Sequence, residues 1–449
     1  MRVDIPLPTR ALASQQTGAC QRCSMRDRPK IAIVNAYWLV HSSVGYLASS
    51  LEKAGYTVDV FLYSSDESLS DAFQRKTAFV RVHRFGNSSG KTEKLIAPRK
   101  HRVTNGFKRF VRTILPNRAY AFLRELKEYL HGWLPADRLI PGDLIREVVE
   151  ACVEDPYVAL IGVEKGGLSV AGAVSRHTGT PLAYYSLELY TWDHWLTMAS
   201  GQVRRLKRLE ERYHRRCALT IVQDEHRAQA LLASNRAPSS IRMAYLPVSL
   251  AGEPNTTPSR WLQSELGLAA DTVVILSYGV MRKERLCVDL VTVAQMFPES
   301  WRLVFHGYGS TGIIEEMQDV DLQHRVRISQ RLLAASQCEM IVRSAQIGLA
   351  IYNERPLNDC LTGRSSEKIA IYSKCGLPFI ALRHPSYEHI ESEKAGILVR
   401  RIEEIPAAVE EILRHYDAYV ENAYRCFRRY YCFEENFRDV LKALQEISQ

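Results

Sequence analysis

Apolar residues in the first half of the chain form short runs that alternate with longer segments of helical periodicity. The run KIAIVNA at residues 30–36 has the length and composition of a buried strand, whereas VGYLASSLEKAGY at 44–56 repeats its apolar positions at helical spacing. The further apolar runs of this half are TVDVFLY (57–63), YVALIGV (157–163), PLAYYSL (181–187) and LTIVQ (219–223). Strands that alternate with helices predict a parallel, doubly wound sheet of the α/β class.

The alternation stops once and then begins again. Turn-forming residues cluster in LPVSLAGEPNTTPSR at residues 246–260, where periodicity is lost, so we predict a linker there. The apolar runs after it are TVVILSYG (272–279), WRLVFHGYG (301–309), QIGLAIY (346–352), LPFIAL (377–382) and GILVR (396–400). Two such units in series predict two Rossmann-like domains, at residues 29–250 and 251–430, after a disordered leader at 1–28.

The composition is that of a two-domain globular protein. A chain of 449 residues exceeds one typical core, and 46% hydrophobic with 24% charged residues is ordinary for this class. No stretch reaches the roughly 18 uninterrupted apolar residues that a membrane helix needs. The ten cysteines are scattered, and the CxxC at Cys20 and Cys23 has no second pair at zinc spacing. We therefore expect reduced thiols, a cytoplasmic location and no metal site.

The net charge of +9 is concentrated in one segment, residues 91–138. This basic segment has 12 Lys or Arg against 4 Asp or Glu, a local charge of +8, interleaved with aromatic and leucine residues. One interpretation is a basic amphipathic helix on an anionic membrane surface, which would place the protein peripherally on the inner face of the membrane. The other is a solvated helical surface that packs its apolar residues on its own domain. No recognised nucleic-acid-binding motif is present, so we expect no nucleic-acid partner.

A candidate phosphate site occurs in GRSSEKIAIYSKCGLPFIA at residues 363–381. Ser365 and Ser366 are residue types that favour a helix N-cap, and Gly376 with the proline that follows would end that helix. The helix N-terminus offers free backbone N–H groups and the positive end of its dipole, and Lys368 adds a cation in the first turn. The alternative is an ordinary capped helix, which the same residues would also form.

Two glycine turns follow other strands of the same predicted domain. In LSYGVMRKER, Gly279 ends a strand, and Arg282, Lys283 and Arg285 come close behind the turn. In VFHGYGS, Gly307 and Gly309 follow the next strand. Small residues let a backbone approach its ligand, and the cations can neutralise a diphosphate without a metal ion. Because the carboxyl ends of parallel strands meet at one edge of a sheet, the three turns together predict a site for a nucleoside diphosphate.

These motifs, with LTIVQDEHRAQALL and YLPVS before the second domain, resemble those of GT-B glycosyltransferases. They are closest to the large retaining (family 4-like) group that uses nucleotide-sugar donors, and the resemblance covers roughly residues 29–449. It implies two facing Rossmann-like domains and a last helix, at 431–449, that crosses back onto the first domain. The donor site would then lie in the second domain and the acceptor site in the first, with no cofactor.

The resemblance also assigns roles to individual residues of the second domain. It implies that Gly279 and Arg282 meet the donor phosphates, and that Ser365, Ser366 and Lys368 hold the diphosphate and ribose. The other candidate donor-binding residues are Lys283, Gly307, Gly309, Arg364 and Glu367.

One feature of the retaining pattern is missing. Many retaining members have two glutamates in this motif, the second of them five residues before the glycine of GxP. The corresponding positions here are Gly363 and Ile371, and Glu367 lies off their register. The resemblance favours retention over inversion, but without the two glutamates both outcomes stay open.

The predicted first domain offers catalytic and acceptor-binding candidates. The segment YYSLELYTWDHW follows a strand that should end at the cleft. It contains Glu188, suited to binding sugar hydroxyls or orienting the acceptor, and His194, which could take a proton if the enzyme inverts. Glu164 also follows a strand. After the first strand come four residues suited to stacking on or hydrogen bonding a sugar acceptor: Trp38, His41, Ser42 and Ser43.

Three functions are compatible with this sequence. The first is a metal-independent hexosyltransferase that moves a sugar from a UDP- or GDP-sugar to a sugar or lipid-linked acceptor, in glycan, polysaccharide or glycolipid assembly. The second is a sugar-nucleotide epimerase of the same architecture, which needs acid/base carboxylates in the cleft. The third is a catalytically silent GT-B protein that acts as a partner or scaffold, in line with the missing glutamates.

Overall fold

The computed structural model describes residues 28–36, 41–63, 79–85, 142–192, 201–331, 333–334 and 337–449. The predicted leader (apart from residue 28), the basic segment, Trp38 and His194 lie outside these residues. None of the helices in the described part of the chain has the length and apolarity needed to span a lipid bilayer. Nor do the His, Cys, Asp and Glu side chains of that part gather in groups of three or more that could hold a metal ion.

The first domain is built on a seven-stranded sheet in which every pairing is parallel. Its strands are β1 (Lys30–Asn35), β2 (Thr57–Tyr63), β3 (Val80–Phe85), β4 (Ala159–Val163), β5 (Leu182–Tyr185), β6 (Leu219–Val222) and β7 (Arg242–Tyr245). Their spatial order is β3-β2-β1-β4-β5-β6-β7. The described helices of this domain are α1 (Ser42–Lys53), α2 (Gly142–Glu154), α3 (Glu164–Thr178), α4 (Gly201–His214) and α5 (Glu225–Asn235).

The second domain repeats the plan with six parallel strands in the order β10-β9-β8-β11-β12-β13. These are β8 (Val273–Tyr278), β9 (Trp301–His306), β10 (Val326–Ser329), β11 (Ile347–Ala350), β12 (Phe379–Leu382) and β13 (Gly396–Val399). Its helices are α6 (Trp261–Leu266), α7 (Cys287–Ala294), α8 (Thr311–Val320), α9 (Cys338–Val342), α10 (Leu357–Cys360), α11 (Glu367–Lys374), α12 (Glu388–Glu393) and α13 (Ile405–Arg414). The predicted doubly wound α/β class is confirmed.

Each sheet has an apolar core on both of its faces. In β1, Ile31 and Ile33 belong to one core, and Ala32 and Val34, which point the other way, belong to the second. The second sheet is likewise covered on both sides by separate apolar clusters. A strand covered on both faces must be apolar at nearly every position, which explains the continuous runs seen in the sequence.

The chain ends in a helical tail that returns to the first domain. The tail consists of α14 (Tyr416–Cys426), a π-helical turn (Phe427–Tyr431) and α15 (Phe433–Ile447). Backbone hydrogen bonds join the tail to the linker, from Leu250 N–H to Tyr431 and from Phe433 N–H to Leu250. Helix α15 then buries five side chains in a core of the first domain: Phe433, Phe437, Val440, Ala443 and Leu444.

Candidate functional site

The glycine turns lie side by side at the carboxyl edge of the second sheet. Gly279 follows β8 with φ +111° and Gly307 follows β9 with φ +142°, both in the region that favours glycine. A Cβ atom on Gly307 would lie 2.1 Å from the Gly279 carbonyl oxygen, so no side chain fits there. A Cβ on Gly279 would lie 3.3 Å from Lys368 Cε. Gly309 extends the pairing through a bridge to Met281, so the structure brings the predicted glycines and Lys368 together.

Two cationic side chains share one tyrosine ring beside these turns. Lys368 Nζ lies 4.9 Å, and Arg285 Cζ 4.3 Å, from the centroid of the Tyr352 ring. Burial, reinforced by the nearby Arg285 charge, lowers the pKa of Lys368 to about 8. Arg285 pairs with Asp359 at 3.3 Å, and its buried Nη1 atom has no hydrogen-bond partner among the described residues. Two partly buried cations, one of them with an unused buried donor, are suited to an anion such as a diphosphate.

The sequence grouped Arg285 with Arg282 and Lys283 as cations that follow the Gly279 turn, and named only Arg282 and Lys283 as donor-binding candidates. Lys283 Nζ binds Glu316 at 2.6 Å on the surface, and the Arg282 side chain is exposed. The chain turns at Leu286, which has φ +54°, directly after Arg285. That turn is the local feature that distinguishes Arg285 from Arg282 and Lys283. The turn could not be predicted from the sequence, because leucine rarely adopts this conformation. The donor-binding roles of Arg282 and Lys283 stay predictions.

The hydroxyl groups of the two predicted serines have protein partners. Ser366 Oγ accepts the Ile369 N–H at 3.4 Å, which caps α11, and forms a 2.6 Å hydrogen bond with the Tyr352 hydroxyl. Ser365 Oγ accepts a hydrogen bond of 2.9 Å from Arg227 of the first domain. The serines therefore order the loop that leads into α11, and their direct contact with a diphosphate or ribose stays a prediction.

Arg364 and Glu367 lie on either side of this loop. The Arg364 guanidinium is 5.0 Å from the ring centroid of Tyr430 in the tail. Glu367 is exposed, and burial followed by the Glu367 charge raises the pKa of Tyr46 in α1. Arg364 therefore contacts the tail, and the donor-binding roles of Arg364 and Glu367 stay predictions.

Gly363 and Ile371, the two positions that correspond to the glutamates of the retaining pattern, are closed by packing. A Cβ on Gly363 would lie 1.9 Å from the Ser386 carbonyl oxygen, and the Gly363 N–H donates to Ser386 Oγ at 3.0 Å. Ile371 is buried in the apolar core of the domain. Neither position can hold a carboxylate, because the loop that carries Ser386 fills the first and hydrophobic side chains surround the second.

In the first domain, a buried glutamate organises the loop that follows β5. Glu164 begins α3 directly after β4 with φ +56°, an uncommon conformation for a residue with a side chain. Its Oε1 atom accepts the N–H groups of Leu187 at 2.7 Å and Glu188 at 2.8 Å. Burial raises the pKa of Glu164 above its ordinary value. The strained start of α3 therefore fixes the backbone at the predicted catalytic residue.

Glu188 reaches the second domain across the cleft. Its Oε2 atom accepts a 2.8 Å hydrogen bond from Asn358 Nδ2, and the N–H of Leu189 donates to Asn358 Oδ1 at 2.8 Å. Asn358 precedes Asp359, the partner of Arg285. Glu188 is therefore joined through Asn358 to the loop whose next residue pairs with Arg285, although Glu188 and that loop lie in different domains.

The acceptor candidates that are described lie at the start of α1. His41 Nδ1 accepts the N–H of Ser43 at 3.1 Å and so caps the helix. Ser43 is buried and Ser42 is partly exposed. These side chains follow β1, whose carboxyl end pairs with that of β4, next to Glu164. Their acceptor-binding role stays a prediction, as do the roles of Trp38 and His194.

The solved structures that are similar to this chain share its whole two-domain architecture. Sucrose-phosphate synthase from Thermosynechococcus elongatus matches with a TM-score of 0.63 at 15% identity, over 94% of this chain and 99% of that one. HepE from Anabaena, solved in complex with UDP, matches with a TM-score of 0.60 at 14% identity, over 93% and 100%. A putative UDP-N-acetylglucosamine 2-epimerase from Listeria monocytogenes matches with a TM-score of 0.56 at 11% identity, over 93% and 96%.

These likenesses show that the chain has the GT-B fold, as predicted. No protein-family model matches the sequence, and a comparison with curated proteins finds no match.

Proposed function

We propose that the protein is a glycosyltransferase that moves a sugar from a nucleoside-diphosphate sugar to an acceptor hydroxyl. The observation that carries this proposal is the pair of cations, Arg285 and Lys368, beside the turns at Gly279 and Gly307, with Glu188 of the other domain close by. The fold agrees with it, since HepE of the same architecture is solved with UDP and with UDP-glucose.

In this proposal the cations neutralise the charge of the departing nucleoside diphosphate. Lys368 and Arg285 would contact the phosphate oxygens, so that no metal ion is needed for that task. Glu188 would stabilise the positive charge that develops at the anomeric carbon. The donor is a UDP- or GDP-hexose, and the resemblance to retaining enzymes favours retention.

The acceptor belongs to the other half of the cleft. A sugar, free or lipid-linked, would bind near His41 and the start of α1, which suits a role in polysaccharide or glycolipid assembly. Association with an anionic membrane through the basic segment, at a cytoplasmic location, is part of the same proposal and rests on the sequence.

An epimerase is the second candidate, and one observation favours it. Asp359 and Glu188 are carboxylates from opposite domains near the same cations, and burial together with the Glu188 charge opposes ionisation of Asp359, whose pKa is raised. Two such groups could supply acid and base. A silent scaffold is disfavoured because unpartnered buried donors are costly to keep without a ligand.

A turnover assay separates these functions. The protein is incubated with UDP-glucose, UDP-N-acetylglucosamine or GDP-mannose, with and without mono- and disaccharide or lipid-linked sugar acceptors, and products are identified by mass spectrometry and NMR. A glycosyltransferase gives a larger glycan and UDP or GDP only with acceptor. An epimerase converts the donor without acceptor. Absence of turnover together with absence of UDP and GDP binding by calorimetry would contradict the proposal.

A further inference from the structure

A completely buried arginine joins the two domains at the candidate site. Arg227 lies in the first turn of α5, where its own N–H is bonded to the N-cap residue Asp224 at 2.8 Å. It is among the largest side chains that are fully buried in the described part of the molecule. A guanidinium in such a place must find several hydrogen-bond acceptors, because an unpaired buried charge is strongly unfavourable.

Most of the acceptors of Arg227 come from the opposite domain. Nη1 donates to the Leu361 carbonyl at 3.1 Å, to Ser365 Oγ at 2.9 Å and to the Asn358 carbonyl at 3.5 Å. Nη2 donates to Asn358 Oδ1 at 3.0 Å and, within its own domain, to the Leu187 carbonyl at 2.8 Å. One side chain therefore holds the loop before α11 and the loop after β5 at the same time.

Asn358 makes the reciprocal contacts from the second domain. Its Oδ1 atom accepts from Arg227 and from the Leu189 N–H, and its Nδ2 atom donates to Glu188 Oε2. These side-chain contacts are all with the first domain. Together with Glu164, which accepts the N–H groups of Leu187 and Glu188, they fix the backbone and the carboxylate of the Glu188 loop.

We propose that Arg227 and Asn358 are positioning residues that couple closure of the two domains to the orientation of Glu188. Apart from the Arg227–Leu187 bond, their hydrogen bonds form only when the domains approach, because donor and acceptor belong to different domains. Closure thus orders the donor loop and the catalytic loop together, and an open cleft leaves Glu188 without its partner. This inference deepens the proposed function and rests on it for the role of Glu188.

The planar guanidinium explains why position 227 requires an arginine and not merely a positive charge. Arg227 uses two nitrogens in fixed directions to reach five acceptors on two loops, and a lysine, which has one nitrogen, cannot span them. Arg227→Lys keeps the charge and loses the geometry. Arg414→Gln is the matched surface control, since Arg414 is exposed and pairs with Glu411 on α13.

Kinetics tests the positioning role. With the donor that wild type turns over among UDP-glucose, UDP-N-acetylglucosamine and GDP-mannose, we expect kcat to fall tenfold or more in Asn358→Ala and Arg227→Lys. In Asn358→Ala, both KM for the donor and the affinity for UDP or GDP should change less than threefold, because Asn358 acts through Glu188. In a Glu188→Ala background, Asn358→Ala should reduce kcat no further. Independent, multiplicative losses in that double-mutant cycle would overturn the proposal.

Small-angle X-ray scattering tests closure without any ligand or turnover. The radius of gyration should increase in Arg227→Gln relative to wild type and to Arg414→Gln, because the domains separate more often. An unchanged radius of gyration in a folded Arg227→Gln protein would overturn the coupling to closure. If Arg227 variants do not fold, Asn358→Ala is measured in the same way. Wild type that neither binds UDP or GDP nor turns over a donor would refute the proposed function. Scattering would still decide whether Arg227 and Asn358 hold the two domains together.

Discussion

Lys368 is the residue that most directly connects the sequence motif to the proposed chemistry. Its ammonium sits beside Arg285 and the Gly279 turn. Lys368→Ala should weaken UDP or GDP binding by roughly 1.5–3 kcal/mol, the range for a hydrogen bond to a charged group. Calorimetry measures the change, with Lys442→Ala on the exposed face of α15 as control. Unchanged affinity in a folded Lys368→Ala protein would place the phosphates elsewhere.

The protonation of Lys368 predicts a pH dependence of nucleotide binding. Burial and the Arg285 charge lower the pKa of Lys368 to about 8 in the free protein, and a bound diphosphate would favour the charged form. Affinity for UDP or GDP should therefore be full well below pH 8 and decrease as the pH rises above it. Titrations between about pH 7 and pH 9.5 test this. Lys368→Arg, which stays charged, should give a flatter profile, and a flat wild-type profile would speak against the lysine.

Glu188 is the residue assigned to the reaction itself. Glu188→Gln removes the charge but keeps an oxygen that can accept from Asn358, so the loop should stay in place. We expect nucleotide affinity to hold while kcat falls by about 10²-fold or more, from the loss of one preorganised electrostatic group worth roughly 2.7–4 kcal/mol. Steady-state kinetics and calorimetry separate the two quantities. A parallel loss of binding and rate would indicate a folding role instead.

At the scale of elements, the buried carboxylate of Asp59 in β2 holds the edge strand β3 of the first sheet against its neighbour. Burial alone would raise the pKa of Asp59 in β2, but hydrogen bonds from His83, Arg81 and Tyr157 outweigh burial and lower it to about 2. Arg81 binds Asp59 through two bonds of 2.7 Å, and the Tyr157 hydroxyl donates at 2.6 Å.

Asp59→Asn should therefore destabilise the first domain. Breaking a buried ion pair costs about 3–5 kcal/mol, and we expect the lower end because Arg81 is half-exposed. The lowered pKa of Asp59 adds stability that is present above its unfolded pKa of about 4 and is lost as the pH falls toward 2. Urea unfolding at neutral and acidic pH measures both effects. Asp271→Asn, at an exposed position, is the control, and equal stabilities of the two variants would contradict the role of Asp59.

Several elements could be predicted from the sequence because their signals are local. The run VGYLASSLEKAGY predicted a helix, and α1 ends at Lys53, shortly before Gly55, which has φ +97°. The Ser366 cap of α11 was likewise predicted. The tail was harder to predict, since α14 and α15 are separated by a π-helical turn where the chain crosses between domains. No periodicity marks that turn, because contacts with both domains determine it.

At the scale of the whole molecule, the net charge of +9 leads to a prediction about membranes. If the basic segment contacts anionic lipid, each cation near the surface contributes about 1 kcal/mol, and salt weakens the contact because the Debye length is about 10 Å at 0.1 M. Binding to anionic liposomes in flotation assays should therefore decrease steeply with salt. Equal flotation with anionic and neutral liposomes would contradict membrane binding and favour the alternative, a solvated helical surface that packs its apolar residues on its own domain. The variant that tests this contact replaces six cations of the basic segment by glutamine, and it should bind anionic liposomes more weakly: Arg99, Lys100, Arg102, Lys108, Arg109 and Arg112.

The sequence by itself determined most of the strands, several helices, the division into two parallel sheets and the loop that carries Lys368. Each of these depends on periodicity, caps or glycine turns that act over a few residues. Only the tertiary structure decided that Arg285, rather than Lys283, lies beside Lys368, and that Arg227 meets Asn358, 131 residues away in the chain. Those contacts arise where the carboxyl edges of two separate sheets meet. No local pattern relates residues on different sheets, because the distance between them depends on how the two domains pack.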